Sequence, residues 1–260
     1  MVDFRYRRIE VLGKDAFRLG LASNFGIDEA GVEEALDGPT NYLFWTPRMK
    51  QTTQPLRRAL ARDRDAYIVA TGPTTAWWGG NLRKFTENTL RTLNTDYLDI
   101  LQMHWLGVTS SWKPGIVEEM VKLREEGKVR ALGVSIHDRK RAGELAIDSP
   151  LDSLMIRYNA AHPGAERDIF PHLAARNPVV IAYTATRWRK LLKRPKGWTG
   201  EVPTAGHCYR FCLSNPNVSL VLHGPKTSAQ LRENLAALDD GALSQDEQTW
   251  MREFGAVVHG

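Results

Sequence analysis

Apolar runs recur along the chain at intervals that leave room for a helix between each pair. They are FRLGLAS at residues 17–23, TNYLFW at 40–45, AYIVATG at 66–72 and LDILQMHW at 98–105, then VRALGVSIH at 129–137, SLMIRYN at 153–159, VVIAYTA at 179–185 and VSLVLHG at 218–224. Several are nearly continuous rather than alternating, as parallel strands covered on both faces should be. The segments between them carry helical spacing. SSWKPGIVEEMVKLREEGK opens on Ser and Pro, sets apolar residues three and four apart, and stops at Gly127. KTSAQLRENLAAL is a shorter helix opened by Thr227 or Ser228. Eight strands alternating with helices predict an α/β fold, a single-domain (β/α)8 TIM barrel over residues 1–260. An open doubly wound sheet is the competing architecture, but no G-x-G-x-x-G follows the first strand. No linker-like stretch divides the chain, and the basic segment RWRKLLKRPKGWTGEVP (187–203) reads as a lid or rim loop.

Composition changes this picture little. With 42% hydrophobic and 25% charged residues, the chain is neither disordered nor low in complexity. A formal net charge of +5 invites a nucleic-acid partner, yet the basic residues come in small groups (RYRR, DRKR, RWRKLLKR) and form no nucleic-acid motif. A solvated basic face or a small anionic ligand is the better expectation. Cys208 and Cys212, in CYRFC, fall on one helix face, but two ligands do not make a metal site, so reduced, partly buried thiols and no metal are expected. Sparse cysteine suits a reducing compartment. The chain has no run of about 18 apolar residues, and MVDFRYRRIEVLG lacks the apolar stretch of a signal peptide. The expectation is a cytoplasmic protein with a small-molecule substrate and neither nucleic-acid nor membrane partners; the oligomeric state stays open.

Chemistry in such a barrel sits where strands end and βα loops begin. That makes Ser23, Asn24, Trp45, Gly72, His104, Ser135, His137, Asn159, Tyr183 and His223 the positions to weigh. Four of these strand ends carry a family signature. TENTLRTLNTDYLDILQMHW resembles the aldo-keto reductase segment that ends in the active-site histidine, here His104. EEGKVRALGVSIH is similar to the family's next strand, with Ser135 as the serine for the nicotinamide carboxamide. NPVVIAYTATRW resembles the strand whose aromatic residue, here Tyr183, stacks on the nicotinamide. VSLVLHGPKTSAQLRENLAAL resembles the final strand and helix that hold the adenosine 2′-phosphate end of NADP(H). The resemblance implies Lys226 and Thr227 for phosphate, Gln230, Glu233 and Asn234 around adenine and ribose, and Asn159 on the cofactor side. A lysine, two hydroxyls and free backbone N–H groups at a helix start do make an anion site on their own terms. An ordinary capped helix, with Gln230, Glu233 and Asn234 on one exposed face, is the alternative.

The resemblance also shows what is missing. The family reduces carbonyls with a tyrosine acid tuned by a lysine, itself paired with an aspartate, while a histidine orients the substrate. Here NYLFWTPRMK puts Phe44 or Trp45 at the aspartate's position and Arg48 or Met49 at the tyrosine's. Gly72 replaces the lysine, Ile136 follows Ser135 in place of asparagine, and Met155 stands for a glutamine. An aspartate–lysine pair left without its tyrosine would be a costly buried ion pair; exchanging all three together points to a rebuilt pocket. Asn24, Trp45, Arg48, Trp77 and Trp105 are its expected lining. His104 is the one expected catalytic residue, a general acid near neutrality. Tyr42 is expected in packing. Three readings follow: an NADP(H)-dependent oxidoreductase with a non-standard site, a weakly active NADP(H)-binding sensor or regulator, or a non-redox cyclase or lyase using the aromatic pocket.

Overall fold

The structure, a computed structural model, describes residues 3–259. Its centre is a closed barrel of eight parallel strands: β3 (Leu19–Ala22), β4 (Tyr42–Phe44), β5 (Ile68–Thr71), β6 (Leu98–Leu106), β7 (Val129–Ile136), β8 (Ser153–Arg157), β9 (Val179–Tyr183) and β10 (Leu220–His223). They follow one another around the ring in chain order, and β10 pairs with β3 to close it. Each falls within one of the eight apolar runs, except that β6 extends one residue further, to Leu106. Helices α1 (Glu29–Asp37), α2 (Lys50–Arg62), α3 (Gly79–Leu93), α4 (Pro114–Glu125), α5 (Arg139–Ile147), α6 (Ala165–Asp168), α7 (Ala205–Ser214), α8 (Ser228–Ala236) and α9 (Gln245–His259) lie outside the ring. None of the described helices is long and apolar enough to cross a membrane.

Local chemistry sets the helix ends. Asp28, Asp138 and Thr227 each cap a helix by accepting from a backbone N–H three residues on. Pro114 opens α4, and Gly127, at φ +73, ends the turn that follows it.

One element escapes the apolar-run pattern. Residues Tyr6–Ile9 (β1) and Lys14–Phe17 (β2) form an antiparallel hairpin, so the run at 17–23 divides at Arg18. Ile9, Leu12 and Ala16 of this hairpin join the apolar cluster inside the barrel. Arg18, buried between hairpin and barrel, donates to the carbonyls of Phe4, Leu213, Val218 and Ser219. A second tie is Asp99, fully buried, which receives Lys14 Nζ at 2.8 Å, Arg64 Nη2 at 2.7 Å and the Val69 N–H at 2.9 Å.

Strand alternation divides the core in two. Tyr42, Ile68, Ala70, Ile100, Ala131 and Ile181 fill the barrel, whereas Leu43, Val69, Leu101, Val134 and Val180 pack outward under the helices.

Candidate active site

The alternation that fills the barrel also decides which strand-end residues reach its mouth. On β6, Ile100 points inward, so Gln102 and His104 do too; on β7 the inward set continues through Gly133 and Ser135. Ser135 pairs in register with Met155 of β8, and the register between β6 and β7 shifts across Met103–Leu106, around His104. One inward step higher come Arg157 and Tyr183, paired across β8 and β9, with His137 just past the end of β7.

His104 is 5% exposed, and its Nε2 has no hydrogen-bond partner among the described residues. Its carbonyl accepts from the Ser110 hydroxyl at 2.6 Å, which fixes the end of β6. The Phe44 ring lies 5.1 Å from the imidazole, so Phe44, not Trp45, takes the inward place at the end of β4. Burial pushes the imidazole down to about 4. Near neutral pH it is therefore uncharged, and it can donate one hydrogen bond to an acceptor but has no spare proton to give. This corrects the expectation of a histidine acid titrating near neutrality.

Ser135 Oγ is equally buried. It lies near the Tyr183 hydroxyl but makes no hydrogen bond of good geometry. Tyr183 in turn places its hydroxyl 2.9 Å from His137 Nδ1, and Arg157 Nη2 lies 3.2 Å from the same nitrogen. Below this level Gln102 and Ser153 also carry buried polar atoms without partners. Unpartnered polar groups near a barrel top, such as His104 Nε2 and Ser135 Oγ, are candidates for contact with a bound polar molecule.

The expected aspartate, tyrosine and lysine have no substitutes of like chemistry here. Met49 is buried in the core beside α2 and Arg48 is exposed. Gly72 has no room for any side chain, because a Cβ there would overlap the Gln102 carbonyl of β6.

Other expected site residues fall elsewhere. Trp45 is 1% exposed, faces away from the barrel and donates from Nε1 to Thr53 Oγ1 at 3.3 Å, so it packs under α2 and does not line the pocket. Asn159 is fully buried and spends both ends of its amide on backbone, donating to the Thr184 carbonyl and accepting from the Ala161 N–H. His223 faces outward and meets Asn234 at 3.3 Å. Asn234 is thereby buried, so it does not share the exposed face of Gln230 and Glu233. Thr227 Oγ1 caps α8 by accepting from the Gln230 N–H, and Gln230 Oε1 accepts from the Lys226 N–H. Lys226 itself is exposed at the helix start. Cys208 and Cys212 are buried free thiols, both pushed up by burial.

The rim is aromatic. Trp77 (46% exposed) stands on the loop after β5 and Trp105 (45%) near the end of β6, and a bridge between Ala76 and Ser110 ties the two following loops together. Asn24 lies exposed in the loop after β3. The basic segment 187–203 forms rim structure anchored by buried Leu191 and by Trp198, edge-on to Phe254 of α9. A hollow of about 450 Å³ lies at the opposite end of the barrel, among Arg7, Asp152, Arg176 and Asn217, and none of the candidate residues lines it.

Sequence reasoning passed over Arg157. The signal was present: it is the one charge in SLMIRYN and shares the parity of Ser153 and Met155.

A family model described as the aldo/keto reductase family matches residues 29–195. A search of curated proteins finds an NADH-specific methylglyoxal reductase of Escherichia coli K12, 25% identical over 218 residues, covering 68% of this chain and 65% of that protein. A second methylglyoxal reductase of the same organism is 33% identical over 164 residues, 59% of this chain and 57% of that protein. The matched part of the chain thus spans less than two thirds of the length of either. Among solved structures, the holo form of an aldo-keto reductase from Bacillus halodurans superposes with a TM-score of 0.80 at 21% identity, covering 96% of each chain. An aldo-keto reductase from Klebsiella pneumoniae in complex with NADPH gives 0.78 at 22% identity, covering 98% of this chain and 96% of that one.

Proposed function

This chain belongs to the aldo/keto reductase family, and from that premise we propose that it is an NADP(H)-dependent oxidoreductase with a rebuilt site, not an ordinary aldehyde or ketone reductase. The carrying observation is the pair of buried, unpartnered polar atoms at the barrel mouth, His104 Nε2 and Ser135 Oγ, beside Phe44 and Gly72 at the strand ends where the family's aspartate and lysine would stand.

NADPH, when bound, supplies the hydride. In this reading Ser135 Oγ receives the carboxamide and the Tyr183 ring offers a face to the nicotinamide. Lys226 and the start of α8 attract the 2′-phosphate, with Gln230 and Glu233 exposed beside it. Asn159 and Asn234 act indirectly, by fixing the backbone after β8 and the seat of α8. Neutral His104 donates one hydrogen bond to the acceptor and orients it, and Phe44 keeps water off the imidazole. Asn24, Arg48, Trp77 and Trp105 bound the opening. With no tuned acid at hand, the acceptors that suit the site are those needing little proton assistance: quinones, imines or activated alkenes.

The test is a fluorescence titration of the purified protein with NADPH, NADH serving as control, followed by turnover of a quinone and of benzaldehyde. NADPH should bind at least about tenfold more tightly than NADH, and Lys226→Met should remove that margin, a change of about 1.4 kcal/mol. The quinone should turn over and benzaldehyde should not. Binding without turnover of either would favour a sensor or regulator, a reading to which the uncharged His104 lends some weight. Failure to bind either nucleotide at millimolar concentration would leave the non-redox reading.

A further inference from the structure

Arg157 is the group at the mouth that the proposed chemistry leaves unused. It ends β8, faces inward in register with Tyr183, and is half-buried. A guanidinium only donates. Its contact with His137 Nδ1 at 3.2 Å therefore fixes that nitrogen as the acceptor and the imidazole as neutral. Burial first, and the Arg157 charge second, push His137 down and hold it so. The partner of Arg157 is thus uncharged, and no carboxylate among the described residues comes within ion-pair distance of it. The acids that follow it in the chain are committed elsewhere. Asp168 is held by Arg139 and Arg167, and Glu166 by Arg252 and the Tyr158 hydroxyl. Further positive charge gathers here: His162 is pushed down to about 4 by burial, and then by Arg157, Arg187, His259 and Arg139.

A second observation is independent of charge. In the loop after β9, Arg187, Trp188 and Arg189 have φ of 48, 49 and 69, three successive non-glycine residues in the left-handed region, and Thr184 has φ 56. Such conformations are strained for residues with a Cβ and gather where function demands a fixed geometry. What this run achieves is to set Trp188, still 57% exposed, over the Arg157 guanidinium at 5.8 Å. A large apolar side chain is left in water beside an uncompensated cation, with four of the five guanidinium N–H groups not used on His137.

We propose that Arg157, with the neutral His137 and Tyr183 beside it and Trp188 as a flank, is a subsite for the carboxylate of a planar, aromatic or conjugated organic anion. This rests on the oxidoreductase reading in naming the anion as substrate. The fork of Arg157 accepts a carboxylate bidentately, which neutralises the charge that no protein acid meets. Trp188 covers the ligand's apolar body. The cofactor's own diphosphate offers similar anionic chemistry, and the experiment separates the two.

Calorimetric titrations of the full chain with 4-carboxybenzaldehyde and with its uncharged methyl ester, with and without saturating NADPH, test this. The acid should bind about tenfold more tightly than the ester, and rising salt should shrink that margin. Arg157→Met, which keeps the stem but removes the charge, should abolish the margin while leaving ester and NADPH affinity within about twofold. Arg157→Lys, which keeps the charge but loses the fork, should retain part of it. Acid and ester binding alike to the native protein, or no detectable binding of the acid, would overturn the assignment, as would a margin that survives Arg157→Met. A loss of NADPH affinity in Arg157→Met with no acid preference in the native protein would hand the arginine to the cofactor. An Arg157-dependent acid preference in a protein that binds no NADPH would sink the oxidoreductase reading and leave the subsite standing.

Discussion

At the scale of single residues, Gly72 bears most directly on the proposal of a rebuilt site. The end of β5 is not merely lacking a lysine; at Gly72 its backbone runs so close to β6 that a Cβ would overlap the Gln102 carbonyl. Gly72→Ala should therefore destabilise the protein by about 1–3 kcal/mol, read from the midpoint of urea unfolding. Gly72→Lys should cost at least as much and restore no aldehyde reduction; a gain of such activity would show that the two strands can part. Phe44 belongs to the same change. An aspartate there would face a buried neutral imidazole, with no lysine to pair with. The alternation of β4 separates Phe44 from Trp45, which the quoted stretch alone left open, because only the register with β5 says which face is inward.

At the scale of elements, the eight barrel strands were legible because burial on both faces writes itself as unbroken apolar sequence. The hairpin was not. YRRI and KDAF mix exposed charges with a few inward apolar residues, and their strandness comes from pairing with each other across the turn at Gly13. Of the candidate site, what was legible is what strand ends make legible: His104, Ser135 and Tyr183 stand at or near the C-terminal ends of barrel strands. Asn159, Asn234 and Thr227 were harder, since their polar atoms serve the chain's own backbone or a neighbour, and sequence does not reveal a side chain's partner. The hairpin's attachment is itself testable. Asp99 is fully buried between Lys14 of the hairpin and Arg64, so Asp99→Asn leaves two cations without their acid. It should cost about 3–5 kcal/mol in urea unfolding. A loss below about 1 kcal/mol would mean that the hairpin is held by packing alone.

At the scale of the whole molecule, burial of histidines ties stability to pH. The folded values for His104 and His223 lie at about 4 and about 3, against an ordinary 6.5. As pH falls below 6.5, the unfolded chain takes up protons that the native fold refuses, so stability declines from there until the folded values are reached. His104 alone contributes a loss of about 3 kcal/mol across that window. Urea midpoints measured from pH 7 down to pH 4 should fall steadily, and His223→Gln should flatten the slope; a flat native profile would contradict the burial of both rings. The ring has a further consequence, for how the chain assembles. Its last joint, β10 against β3, joins segments some 200 residues apart, as the Arg18 contacts to Val218 and Ser219 record. Closing a loop of that span costs about 5 kcal/mol in chain entropy. Without Val221 against Leu19, β3 and β9 would each lack a neighbour on that side, and bare sheet edges are surfaces on which sheets aggregate. The strand that seals both edges leads directly into α8, so in a chain made from its N-terminus those edges are covered only as that helix emerges.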